Sequence, residues 1–256
     1  MTALLEWSRA TVLSLTEFEV SWELLGLGET PAQLDPPSSG RTMEERRQII
    51  SCVADDLHRR GLGDGRGPHP VLAERLRLLA SGDELDVRFR TDTLFAAVAA
   101  CHRDRCTVAV RHGTEIALLD LRADQAASAL VELIGPVVAG PGRAVSLLAE
   151  VLDAVRAASP RDPRRFTEEL VWRGVDAQDA TLLVQMCTGA RHGGQFGATA
   201  RRRAARRRAP YVVGVHRTDQ GCYRQVRRGA AVTIAPVSGP DLVDELAGLT
   251  DAAQSV

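Results

Sequence analysis

Three strand-like segments lie so close together in this chain that only one kind of sheet can hold them. Thr93–Cys101, Cys106–Arg111 and Glu115–Leu121 are separated by short turns at Arg103-Asp104 and His112-Gly113. Parallel neighbours need a crossover of about a dozen residues or more, so links this tight demand antiparallel pairing. Ahead of them, Leu85, Val87 and Phe89 alternate with Asp86, Arg88 and Arg90, the pattern of a half-buried strand. Behind them, Ala126, Ala127, Leu130, Leu133 and Ile134 predict a helix that stops at Gly135-Pro136.

Helical signals precede the strands. Leu13–Val20 reads as a strand or as a strand running into a helix. Thr42-Met43-Glu44-Glu45 is a capping box, followed at helical spacing by Ile49, Ile50, Val53 and Leu57 and closed by Gly61. A second helix is expected to carry Val71, Leu72, Leu76, Leu79 and Ala80 on one face. The rest of the chain runs through a similar order. Val145–Arg156 reads as strand-to-helix or helix, Pro163–Arg173 as helix, and Asp176 caps a helix bearing Leu182, Leu183 and Met186. Strands are expected at Gln195–Thr199, Tyr211–His216, Cys222–Val226 and Ala231–Ala235. A last helix, from near Ser238, carries Leu242, Val243, Leu246 and Leu249.

The two series also align. A shift of 116 positions without a gap pairs Cys106 with Cys222, Val110 with Val226, Gly113 with Gly229, Leu130 with Leu246 and Leu133 with Leu249. Strand, glycine turn, strand and helix face all stay in register. The expectation is one α+β domain over 1–256, built from pseudo-repeat halves of about 1–137 and 138–256. Each half alone would leave a sheet face or edge uncovered.

Composition narrows the function. Apolar residues make up 45% and charged residues 25% of the 256, the balance of a globular chain. All 32 basic residues are Arg, and the formal net charge of −1 gives no global field for nucleic acid or membrane. Glu6, Arg9, Glu17 and Glu19 break any secretory signal, and Glu132, Gly135 and Pro136 interrupt the most apolar window, so no membrane insertion is expected. Five cysteines without a CxxC pair read as free thiols of a reducing cytosol.

No motif asks for catalysis. The run Gly61–Gly67 lacks both phosphate-loop spacings and follows a helix, so it reads as a helix–helix connection. Cys101, His102, Cys106 and His112 match no common zinc spacing, and the cysteines read instead as small buried residues flanking a turn. His216 beside Asp219 is the nearest approach to a base with an orienting carboxylate, an arrangement common at strand ends without function. The expectation is therefore a non-enzyme with neither metal nor cofactor. The sharpest anomaly is Arg201–Arg208, with Arg201, Arg202, Arg203, Arg206, Arg207 and Arg208 in eight positions. It reads either as a polyanion or acidic-partner contact or as a solvated loop between strands. No aromatic interleaves it, so base stacking is unsupported and the solvated loop is favoured.

The ordered set of local patterns resembles the EspG family of type VII (ESX) secretion-associated proteins of actinobacteria. Thr218-Asp219-Gln220-Gly221-Cys222-Tyr223, then Val232-Thr233-Ile234-Ala235-Pro236 and a Leu-rich last helix, is similar to the family's C-terminal pattern. Leu15-Thr16-Glu17-Phe18, Trp22-Glu23-Leu24-Leu25-Gly26-Leu27-Gly28, Gly40-Arg41-Thr42 and Arg60-Gly61-Leu62 resemble its N-terminal end. Gly193-Gly194-Gln195-Phe196-Gly197 resembles a further stretch. Cys222 stands where the family has Arg before the tyrosine, and Ala231-Val232 lacks its aromatic, the marks of a divergent member. The resemblance implies a quasi-two-fold α+β fold with a central antiparallel sheet flanked by two helical bundles. It also implies a cytoplasmic chaperone that binds the apolar tip of a PPE protein within a PE–PPE heterodimer and directs it to one ESX machine. The client surface it implies points to Leu170, Trp172, Val175, Leu182, Leu183 and Met186, with Phe196 and Tyr223 nearby. A nucleic-acid-binding role for Arg201–Arg208 is the alternative, and exposed sheet edges leave a homodimer open.

Overall fold

A computed structural model describes residues 5, 7–158, 162–202 and 205–255, and the Arg202 side chain lies outside the description. The fold is α+β and rich in antiparallel pairs. The chain gathers into two compact units. The first comprises residues 1–88, 94–130 and 200–206, and the second 89–93, 131–199 and 207–256.

In the first unit, β1 (Thr11–Ser14) turns without a loop into α1 (Leu15–Leu24). Ser14 makes the turn, because its hydroxyl accepts from the Glu17 amide while the Glu17 carboxylate accepts from the Ser14 amide. The expected box at Thr42 and Glu45 starts α2 (Met43–Arg59) in the same way. α3 (Pro70–Ser81) begins on proline, whose missing N–H costs nothing in a first turn. Val71, expected on the buried face, is 54% exposed because the second helical position turns outward here, and Leu72, Leu76 and Leu79 make the contact instead.

The strands β2 (Asp83–Arg90), β3 (Leu94–His102), β4 (Arg105–His112) and β5 (Glu115–Arg122) follow, and the sheet order is β1-β5-β4-β3-β2. β3–β4, β4–β5 and β1–β5 are antiparallel, as the tight links require. Phe18, Leu57, Leu76 and Leu79 pack on Val98, Ala100, Ala109 and Leu118 to form the core. Alanines in β3 and β4 let the chain come close. At Gly82 a Cβ would lie 2.9 Å from the backbone N and O of Cys101. After β5 comes α4 (Ala126–Leu133).

The second unit starts in the same order. β6 (Val145–Leu148) runs directly into α5 (Ala149–Ala158), then come α6 (Pro163–Trp172) and α7 (Ala177–Cys187). Asp162 accepts from the amides of Arg164 and Arg165, and Asp176 from those of Gln178 and Asp179. The strands are β7 (His192–Arg202), β8 (Ala205–Arg208), β9 (Val213–Thr218), β10 (Gly221–Arg228) and β11 (Ala231–Pro236), and α8 (Gly239–Ser255) ends the chain. Their order is β7-β9-β10-β11-β6, with β8 paired to β7. Leu152, Val155, Leu170, Leu183 and Met186 pack with Val145, Tyr223 and Ile234 in the core. α8 buries Leu242, Leu246 and Leu249.

One close approach fixes the entry to this unit. The segment before β6 crosses β10, with Ala139 bridged to Cys222 and the Tyr223 hydroxyl donating to the Pro141 carbonyl at 3.3 Å. Gly140 lies against the Tyr223 ring and Gly221, so a Cβ there would overlap the phenol. Gly140→Ala should therefore destabilise by about 1–3 kcal/mol through overpacking. Tyr223→Phe, which loses one hydrogen bond and little volume, should cost about 0.5–1.5 kcal/mol. Thermal unfolding of the two variants checks the order.

Candidate partner-binding surface

The expected surface centres on α6 and α7, and burial divides its residues. Leu170, Met186, Phe196 and Tyr223 are fully buried and Leu183 nearly so, which makes these five part of the core of the unit. The helical spacing of Leu170, Leu183 and Met186 records packing in one cluster with residues of β6, β10 and β11, and in this conformation none of the five has surface to offer a client. Val175 and Leu182 are half-buried against the same cluster. Trp172 differs from all of them: it is 78% exposed.

Local structure explains why Trp172 stands out. It is the last residue of α6, and Gly174 in the left-handed region (φ 86°) ends the helix. The Val175 amide bonds back to the Leu170 carbonyl at 3.0 Å, turning Leu170 inward and Trp172 outward. The Arg173 guanidinium lies 4.8 Å from the centre of the indole and also pairs with Glu169. The guanidinium thus gives the exposed indole a neighbour on one face. Beside it, Val171 is 43% exposed. The helical stripe does not single out Val171, because it lies one position on from buried Leu170 and so off that face. Val138, Leu148 and Val212 are further exposed apolar residues of this unit.

The nearest thing to a catalytic pair does not form. The His216 ring nitrogen Nε2 lies 2.9 Å from the Met186 carbonyl, which can only accept, so Nε2 carries the proton. The ring stacks on Tyr223, and burial pushes its pKa down. Asp219 instead pairs with Arg191 at 3.2 Å. A cleft of about 340 Å³ beside His216 is lined by Gly193, Gly194 and Gly214 and by Arg156 and Gln225, which bond each other at 3.1 Å.

The arginine run is exposed over Ala205–Arg208, as expected of a solvated segment, but it is not a loop. β7 runs on to Arg202 and β8 begins at Ala205, so most of the run is strand. Within the first unit, Arg201 and Arg206 both pair with Glu84, at 3.0 and 2.8 Å, and the Glu84 side chain is wholly buried. The Arg201 amide bonds Asp83 at 2.6 Å. Arg208 donates to Thr199 at 3.1 Å, with its guanidinium seated over Gly197. Arg207 also has an interaction partner, and Arg203 lies outside the described residues. The alternation that predicted a half-buried β2 also gives way here. Glu84, Leu85, Asp86 and Val87 are all buried, because arginines from distant sequence satisfy Glu84.

Burial raises the Glu84 carboxyl above its ordinary 4.5, against the pull of Arg206 and Arg201. A carboxyl lifted by folding stabilises the folded state most when protonated, and that contribution fades as pH rises through the lifted value. Glu84→Ala should cost about 3 kcal/mol, the low end for a broken buried pair, since both arginine heads retain some water. Glu84→Gln should cost less, and its deficit relative to wild type should shrink from near pH 4.5 to neutral pH. Urea midpoints at the two pH values test the sign.

A family model described as the EspG family matches residues 14–248. No curated protein matches the chain. Among solved structures, the chain is similar to one described as the Mycobacterium tuberculosis type VII secretion system chaperone EspG5 in complex with a PE25–PPE41 dimer. The TM-score is 0.76 at 16% identity, over 95% of this chain and 96% of that one. At that identity, the likeness shows a shared α+β fold.

Proposed function

Because the chain belongs to the EspG family, we propose that it is a cytoplasmic chaperone for a PE–PPE-like heterodimer, which it delivers to a type VII secretion machine. The carrying observation is Trp172: a 78% exposed indole, stacked by Arg173, on an α+β scaffold of the family. An apolar surface left open on a client invites self-association, and a partner that covers it prevents this. Trp is the residue type most often found as an interface anchor, and Val171 extends the apolar surface next to it. The fold shared with a chaperone solved in complex with a PE–PPE dimer supports the class of client. Binding, with no reaction catalysed, is the whole of the proposed activity. No helix among the described residues is long and apolar enough to cross a membrane.

We also infer that the halves 1–137 and 138–256 of a single domain are copies of one unit. The order strand, three helices, strands, helix occurs twice. The register supports it: Ser14, last before α1, lies opposite Glu115, and Leu148, last before α5, lies opposite Ala231, 116 positions on from Glu115.

Co-expression with PE–PPE pairs encoded near this chain should give a soluble complex that survives size-exclusion chromatography. Trp172→Ala should weaken it by about 2 kcal/mol, roughly thirtyfold, while leaving thermal unfolding unchanged, since the side chain packs on no core. The proposal fails if no pair co-purifies and the protein instead binds an RNA or DNA probe whose steep salt dependence disappears when Arg207 and Arg208 are neutralised.

A further inference from the structure

Cys101 and Cys106 face each other across the β3–β4 hairpin. The turn between the two strands is only Arg103 and Asp104, with Arg103 in the left-handed region (φ 57°). Directly opposed residues of an antiparallel pair have Cα atoms roughly 4.5–5.5 Å apart and side chains on the same face. A disulfide needs a Cα separation of about 4.4–6.8 Å, so this register already meets the requirement without moving the backbone. Both thiols are free. The Cys106 thiol hydrogen-bonds the Cys101 sulfur, which holds the Cys101 pKa down and pushes that of Cys106 up. Cys101 is partly exposed, whereas Cys106 is buried at 1%. Cys101, the less buried of the two, is therefore the better nucleophile, and Cys106 donates to it.

We propose that Cys101 and Cys106 form a redox modification site that a hydroperoxide converts into an intramolecular disulfide. In the first step the Cys101 thiolate attacks the terminal peroxide oxygen. The O–O bond breaks, the leaving oxygen takes a proton, and Cys101 becomes a sulfenic acid. In the second step the Cys106 sulfur attacks the Cys101 sulfur. The S–O bond breaks, and the hydroxyl leaves as water with the Cys106 proton. Two thiols are oxidised, one peroxide is reduced to two oxygen-bearing products, and a dithiol reductant reverses the change. The backbone is already held at this point, with Gly82 packed on the Cys101 N and O. Cys52 on α2 is more exposed, so it is the internal competitor for the oxidant. The proposal does not depend on the identity of the client.

The test is a peptide map of the reduced full chain after brief hydrogen peroxide treatment, alkylation in denaturant and trypsin digestion without reductant. Trypsin cuts after Arg103 and Arg105, so the two cysteines leave on separate peptides unless they are bridged. The expected product is the Cys101–Cys106 bridged pair, lost on reduction, with alkylatable thiols falling from five to three. In Cys106→Ser the bridge should vanish and dimedone should label Cys101. If that variant fails to fold, the wild-type map alone decides. Oxidation of Cys52 with Cys101 and Cys106 both still alkylatable would overturn the proposal, as would a bridge linking two chains.

Discussion

An antiparallel sheet with one apolar face is stable only when something covers that face, and here the cover comes from the edge of the sheet itself. In each unit an edge strand passes into a helix with no intervening loop, at Ser14 to Leu15 and at Leu148 to Ala149. The helix is thus delivered over the sheet it must cover, and two further capped helices complete the layer. The capping groups at Ser14, Thr42, Asp162 and Asp176 carry much of this geometry, because each satisfies backbone amides where the chain changes direction. The hydrophobic clusters beneath the helices then hold what the caps have aimed.

The parts of this architecture that depend on near neighbours were legible in the sequence. The two-residue links forced the β3–β4–β5 pairing, and the box at Thr42 and Glu45 placed the start of α2. The parts that depend on distant residues were not. Alternation in Leu85–Arg90 implied one wet face, but it carries no sign that Arg201 and Arg206 would neutralise Glu84. For the same reason the arginine run looked like a solvated loop when it is largely strand. A basic residue is read as exposed unless its buried counter-charge is known.

The candidate site shows a second limit. A helical stripe of Leu, Val and Met has the same spacing whether it faces a core or a partner, and Leu170, Leu183 and Met186 face the core. Trp172 lies two positions beyond Leu170, on the opposite face of α6, and faces solvent as the last residue of that helix.

The pairing of Glu84 with Arg201 and Arg206 spans 117 and 122 residues of sequence. On the ribosome, that distance becomes a delay. When α1 to α3 and β1 to β5 have all emerged, the buried carboxylate of β2 still lacks its counter-charges, and it keeps lacking them until the β7–β8 hairpin is synthesised. The first unit therefore cannot reach its final electrostatic state in the order in which it is translated. Its completion is tied to just over four-fifths of the chain being present.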